Sequence, residues 1–179
     1  SLTCSENKLT SLNVQGLPDL ETLVCSKNQL TSLDLYGLTK LSALDCTENK
    51  LSCLNLQGAA ALTMVSCQNN ELTTLDVQGL TSITTLYCGY NKLKDLDIAG
   101  LAALQNLSCE RNQLKQNVKK LLAALPNRSA TSGGLLILYT EKTGDIEGND
   151  RPSSAELAPM PTLNWTVMKI DADGSTQSL

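Results

Sequence analysis

A cysteine recurs every 21 residues along this chain, at Cys4, Cys25, Cys46, Cys67, Cys88 and Cys109, and only Cys53 stands outside the series. Asparagine keeps the same step at Asn7, Asn28, Asn49, Asn70, Asn91 and Asn112, and leucine at Leu9, Leu30, Leu51, Leu72, Leu93 and Leu114. Glycine appears once per period at Gly16, Gly37, Gly58, Gly79 and Gly100. Four residue types locked to one period cannot arise by chance. Each period is therefore one structural unit that cannot bury its apolar side alone, so neighbouring units must stack. The composition agrees: 179 residues contain no Phe and one Trp, so aromatic packing cannot supply the core.

The unit beginning at Leu20 reads Leu20-Glu-Thr-Leu23-Val-Cys25-Ser-Lys-Asn28-Gln-Leu30. It follows the leucine-rich-repeat pattern L-x-x-L-x-L-x-x-N-x-L with cysteine in place of the central leucine. Leu23 and Cys25 alternate with Thr22, Val24 and Ser26, which points the first pair inward from a short strand. Cysteine acts there as a small hydrophobe. The asparagine can bond backbone groups that a turning chain leaves unpaired, and stacked copies would form a ladder. The repeated glycine suits a bend with positive φ. In the second half of each unit, Leu9-Thr-Ser-Leu12-Asn-Val14 and its copies space apolar residues for another short strand, followed by a turn or single 3-10 turn. Five or six coils at about 4.8 Å each give a solenoid of roughly 25–30 Å.

The Cys-x-x-Asn-x-Leu-Thr-x-Leu-Asp-Val/Leu-x-Gly-Leu unit resembles the cysteine-ladder, internalin-J-like leucine-rich repeats of bacterial surface and secreted proteins, from about Leu2 to Leu114. The pattern is weaker in the fourth repeat, where Ala59 follows Gly58 and Val65 opens the strand. The expected fold is a leucine-rich-repeat right-handed solenoid. It is β-rich, with parallel strands on the concave face and short strands or 3-10 turns on the convex face. The resemblance implies export, to the bacterial surface or the medium. The chain enters in mid-unit at Ser1-Leu2-Thr3-Cys4, so a front segment is expected to have been removed.

The period stops after Gln113. Residues 1–116 are read as the solenoid and 117–179 as a small α/β C-terminal cap, similar to the caps of Bacteroides-type surface proteins. Within it a helix is expected over 117–125 with Asn117 as N-cap, and strands near 135–140 and 165–170. The stretch from Glu141 to Pro161 reads mostly as loop. The last coil of a solenoid exposes an apolar face that a terminal unit must cover.

The residue inventory limits the chemistry. No His excludes Ser-His-Asp and Cys-His catalysis. Net charge −4 and a pI near 4.8 argue against nucleic acid. No apolar run reaches the roughly 20 residues that a membrane helix needs. In-register strands hold equivalent Cβ atoms about 4.8 Å apart, too far for a disulfide at about 3.8 Å, so the ladder thiols are expected reduced and inert. A linear ladder cannot surround a tetrahedral ion, and Cys53 reads as a neutral replacement. Asp171-Ala-Asp173-Gly174 and Asp145-Ile-Glu147 fall short of a calcium loop. Asp34, Asp76, Asp97, Asn13 and Asn55 recur beside the convex strand and read as structural hydrogen-bonding groups. No cofactor, metal or enzyme activity is expected.

What remains is surface. The outward concave residues change from coil to coil while the inward ones do not, as a recognition face requires. Met64, Tyr87, Tyr90, Glu110 and Arg111 are its candidate ligand-binding residues, with Tyr90 and Arg111 placed to stack. Glu6, Lys27 and Glu48 fall in one column as a charge ladder. The expected function is a non-enzymatic, monomeric protein-binding module for recognition or adhesion, its ligand a host protein or a glycan. The alternative is a structural spacer segment of a larger cell-surface protein.

Overall fold

In the computed structural model the repeats wind into stacked coils, described over residues 1–128, 133–141, 149, 152–171 and 175–178, with the backbone alone at 139–141 and 171. Each coil contributes one short concave strand: β1 (Leu2–Thr3), β2 (Thr22–Val24), β4 (Ala43–Asp45), β6 (Met64–Ser66), β7 (Thr85–Tyr87) and β8 (Asn106–Ser108). Neighbours pair in parallel with a 21-residue offset, Thr22 opposite Ala43, Ala43 opposite Met64, Met64 opposite Thr85 and Thr85 opposite Asn106. The register is fixed because a slip by one residue would turn every inward leucine out to solvent. Leu23, Leu44, Val65 and Leu86, with Cys25, Cys46, Cys67 and Cys88, are fully buried. Burying each such leucine contributes about 1.5–3 kcal/mol.

The convex side only partly follows the expectation of a strand in every coil. β3 (Ser32–Asp34) pairs with β5 (Cys53–Asn55) as a two-stranded sheet, and the equivalent segments of the other coils lie alongside without strand pairing. Leu33, Leu54, Leu75 and Leu96 are buried whether or not their coil pairs. Side-chain burial is the repeated requirement here, and backbone pairing is incidental to it. Turns closed by bonds such as Leu38 N to Leu35 O (3.2 Å) and Leu41 N to Leu38 O (3.0 Å) then return the chain, in the 3-10 manner expected.

The asparagine ladder is built from the same groups in each coil. Asn70 accepts from Leu51 N (2.9 Å) and donates to Cys46 O (3.0 Å) and Cys67 O (3.1 Å), joining two coils at one side chain. Asn28, Asn49, Asn91 and Asn112 repeat this pattern. At the first coil Asn7 donates to Cys4 O and Ser5 O only, and is exposed. On the convex corner Asn13, Asp34, Asn55, Asp76 and Asp97 each accept from the backbone N–H two residues on, at 2.9–3.1 Å. These carboxylates and amides shape turns.

The concave sheet does not end with the repeats. β9 (Gly134–Glu141) pairs in parallel with β8, β10 (Trp165–Asp171) in parallel with β9, and β11 (Thr176–Ser178) antiparallel with β10, completing nine strands. A 3-10 turn at Lys115–Asn117 leads into α1 (Val118–Ala123), shorter than the expected 117–125. Asn117 stands at the N-cap position as expected, but the preceding 3-10 turn keeps it in helical dihedrals (φ −75°, ψ −10°) and its side chain makes no cap bond; its Nδ2 donates to Lys94 O (2.8 Å). Within the segment expected to be loop, Ser153 and Glu156 form a capping box that starts α2 (Ser154–Leu157). Trp165 Nε1 donates to Pro126 O (2.7 Å), and a Cβ at Gly134 would lie 2.6 Å from the Trp165 ring. Arg128, buried, reaches Leu104 O with Nη1 (3.0 Å) and so ties this region to the coil of β8.

Asn149 continues the ladder. It accepts from Leu114 N (3.0 Å) and donates to Cys109 O (2.8 Å) and Leu138 O (2.7 Å), as the next asparagine would.

Candidate functional site

The ladder cysteines offer no reactive centre. All seven are free, and Cys25, Cys46, Cys67, Cys88 and Cys109 are fully buried, while Cys4 is half-buried and Cys53 exposed on β5. Burial holds the ladder thiols protonated: those of Cys25 and Cys67 are pushed up to about 12. Those of Cys46, Cys88 and Cys109 are also raised well above the ordinary range. Among the described residues no group of three His, Cys, Asp or Glu could hold a metal. Asp145–Glu147 and Asp173–Gly174, weighed as calcium loops, lie outside those residues. No described helix is long and apolar enough to cross a membrane. A hollow of about 420 Å³ between α1 and α2 is lined mainly by Leu122, Ala123, Met160 and Leu163, with Lys119 and Glu156 at its edge.

The concave face separates the five candidate residues. Met64 and Tyr90 are exposed at 40% each, and Tyr87 and Arg111 are half-buried. The Arg111 guanidinium carbon lies 5.6 Å from the Tyr90 ring centroid, within cation–π range. Glu110 stays on the outward face, its carboxylate bonded by Ser108 of the outward column, but is buried at 3% exposure. Its neighbour one coil back contributes to that burial. A Cβ on Gly89 would fall 2.5 Å from Glu110 Oε1, so the carboxylate lies in space left empty by glycine, where Ser108 Oγ donates to Oε2 (2.6 Å). Ser26, Ser66 and Ser108 are buried too, so much of the flat strand face is closed off by its own neighbours.

Two features were not read from the sequence. The first is conformational. Glu6, Lys27, Glu48, Asn69, Tyr90 and Arg111, one per coil just before the ladder asparagine, all adopt φ between +52° and +57°. A left-handed conformation costs a non-glycine residue about 1 kcal/mol. It projects these side chains as a rim beside the strands. Along it Lys27 Nζ bonds Glu6 Oε1 (2.9 Å), which lowers the Glu6 carboxyl and, with Glu48 nearby, raises the Lys27 ammonium. The second feature is extent: Leu135 (37% exposed) and half-buried Ile137 and Met168 carry the outward columns of the repeats onto β9 and β10. The run Leu135-Leu-Ile-Leu138 signals a strand, yet its sequence alone cannot say which pair faces out.

In-register parallel coils, a buried thiol column and an asparagine column together define a cysteine-ladder leucine-rich-repeat solenoid. The solved functional domain of InlJ from Listeria monocytogenes, which includes a cysteine ladder, matches 92% of this chain at a TM-score of 0.59 and 24% identity, a likeness of fold. This chain spans 43% of the length of that one. No family model and no curated protein matches it.

Proposed function

We propose that the chain is a non-enzymatic recognition module of an exported bacterial surface protein, binding a protein ligand on its concave face as a monomer. One observation carries this reading: the inward positions of the coils repeat while the outward positions diversify, on strands held in one register. Tyr87, Tyr90 and Arg111 supply the residue types that most often dominate interface energies, with exposed Met64 on the same face. Glu110 lies among them, its carboxylate held by Ser108 Oγ beside Gly89. Leucine-rich-repeat solenoids are interaction scaffolds, and a surface location and a role in adhesion accord with the likeness to InlJ. Residues 117–179 cap the solenoid in this reading.

The test is an array of purified cell-surface proteins, with a glycan array beside it, probed with wild type and a Tyr87→Ala/Tyr90→Ala/Arg111→Ala variant. The variant is expected to keep its fold by circular dichroism and to lose about 2 kcal/mol or more of protein binding, the scale of an interface hot spot. Equal binding by both chains would remove the concave-face assignment, and selective glycan binding would change the ligand class.

A further inference from the structure

The first five coils turn through positive φ at two corners, and the chain treats them in opposite ways. At the convex corner the residue is glycine in all five coils, with φ between +73° and +88°, although a Cβ would meet nothing within 4 Å at Gly16, Gly37, Gly79 or Gly100. At the concave rim the residue is never glycine: Glu6, Lys27, Glu48, Asn69, Tyr90 and Arg111 stand there. Part of the contrast is conformational, since φ near +55° admits L-residues more readily than φ near +80°. Glycine would still be the least strained choice. The position next to the rim never departs from asparagine, whereas the rim itself runs through acid, base, amide, aromatic and guanidinium. Strain kept at a position whose side chain changes from coil to coil points to contact with something outside the chain.

The rim charges narrow what that partner is. Lys27 gives its ammonium to Glu6, and among the described residues Glu48 makes no ion pair, so its exposed carboxylate faces solvent. Two coils further on stands Tyr90, exposed, with Arg111 against its ring. Coils repeat at about 4.8 Å, and a polyproline-II chain advances about 3.1 Å per residue and returns to the same face every third residue, so side chains three residues apart on such a chain reach down onto rim positions two coils apart.

We propose that this rim, more than the flat strand face, sets the specificity of the recognition site. It reads an extended polypeptide in the polyproline-II conformation lying along the solenoid axis, with a basic side chain over Glu48 and, three residues on, an apolar side chain against Tyr90. The inference rests on the recognition function proposed above and adds to it the class and polarity of the partner.

The experiment pans a phage-displayed library of random linear peptides against the whole chain and against single variants. Peptides enriched on wild type should carry a basic residue three positions before an apolar one. They should bind Glu48→Lys about ten-fold more weakly, as expected when a complementary charge is inverted, and panning on Glu48→Lys should select acidic residues instead. Met64→Ala, on the strand face, should weaken binding less than Glu48→Lys does and should leave the spacing of basic and apolar residues in the selected peptides unaltered. Asn69→Gly should weaken binding while its unfolding midpoint stays at or above that of wild type. Peptides lost with Met64→Ala but indifferent to Glu48→Lys would return the specificity to the strand face and overturn the proposal, with the recognition function intact. Destabilisation by Asn69→Gly would show that the rim side chains serve the fold, and would overturn it too. Enrichment of no peptide on wild type would remove the recognition of extended polypeptide altogether.

Discussion

At the scale of single residues, the ladder thiols couple stability to pH. The folded chain holds Cys25 and Cys67 near 12 because burial opposes the thiolate, with Cys4 and Asp45 adding repulsion at Cys25. An unfolded thiol titrates near 8.5. Below that value both states keep the proton and the stability is fully present. Between there and about 12 the unfolded chain releases the proton while the folded chain retains it, so stability falls as pH rises, by about 1.4 kcal/mol per pH unit for each thiol. Urea midpoints should thus be level from about pH 6 to 8 and drop steeply through about pH 9 to 11. A Cys67→Ala chain, weaker at neutral pH through its cavity, should show a shallower alkaline fall. Equal slopes for the two chains would mean that this thiol is not held protonated by the fold.

At the scale of elements, the joint between solenoid and cap depends on Asn149. An internal rung such as Asn91 satisfies the backbone of its own coil and of the coil before it, and Asn149 does the same for Leu114 N and Cys109 O while also binding Leu138 O on β9. Asn149→Ala would leave these buried groups without their partner, at about 1–3 kcal/mol for each group that water cannot reach. A loss of about 2 kcal/mol or more by urea denaturation is expected, comparable with that of Asn91→Ala. A change near zero would show that water replaces the side chain and that Asn149 is not a rung. This residue also marks how far the sequence could be read. Leu23, Cys25 and Asn28 announced their places because each is one of several identical copies under an identical constraint. Asn149 performs the same task off the 21-residue step, so no period pointed to it. The burial of Glu110 was not legible for a related reason: the space its carboxylate occupies depends on a missing side chain at Gly89, one coil away, which a pattern of single positions does not contain. Glu6, Lys27 and Glu48 could be read as one column, but the positive φ that makes the column a rim could not, because the shared property is a backbone angle while the residue types differ.

At the scale of the whole molecule, two architectures with the same strands would unfold differently. If residues 117–179 were a lid resting on a self-sufficient stack, the stack could persist after the lid opened, since coils contact mainly their neighbours and cooperativity in repeat arrays is local. The contacts argue for one unit. Leu135 N bonds Gln105 O (2.8 Å) and Cys109 N bonds Ile137 O (2.9 Å), so β9 is a full neighbour of β8. Lys120 on α1 bonds Asp95 (2.8 Å) and also faces Asp97 at 3.7 Å, reaching the convex side of the preceding coil. Leu121, Leu122, Leu136 and Leu138 belong to the same buried cluster as Leu104, Leu107 and Leu114. The chain's single tryptophan reports on the cap alone: Trp165 is buried on β10, with its indole N–H given to Pro126 O. Trp165 fluorescence and far-ultraviolet circular dichroism, which is dominated by the strands of the coils, should therefore trace one coincident urea transition. Gly134→Ala, which drives a Cβ into the indole ring, should lower both midpoints together. If fluorescence falls first while the dichroism holds, the cap is a separable lid, and the continuity of the nine-stranded sheet carries little of the stability of the coils.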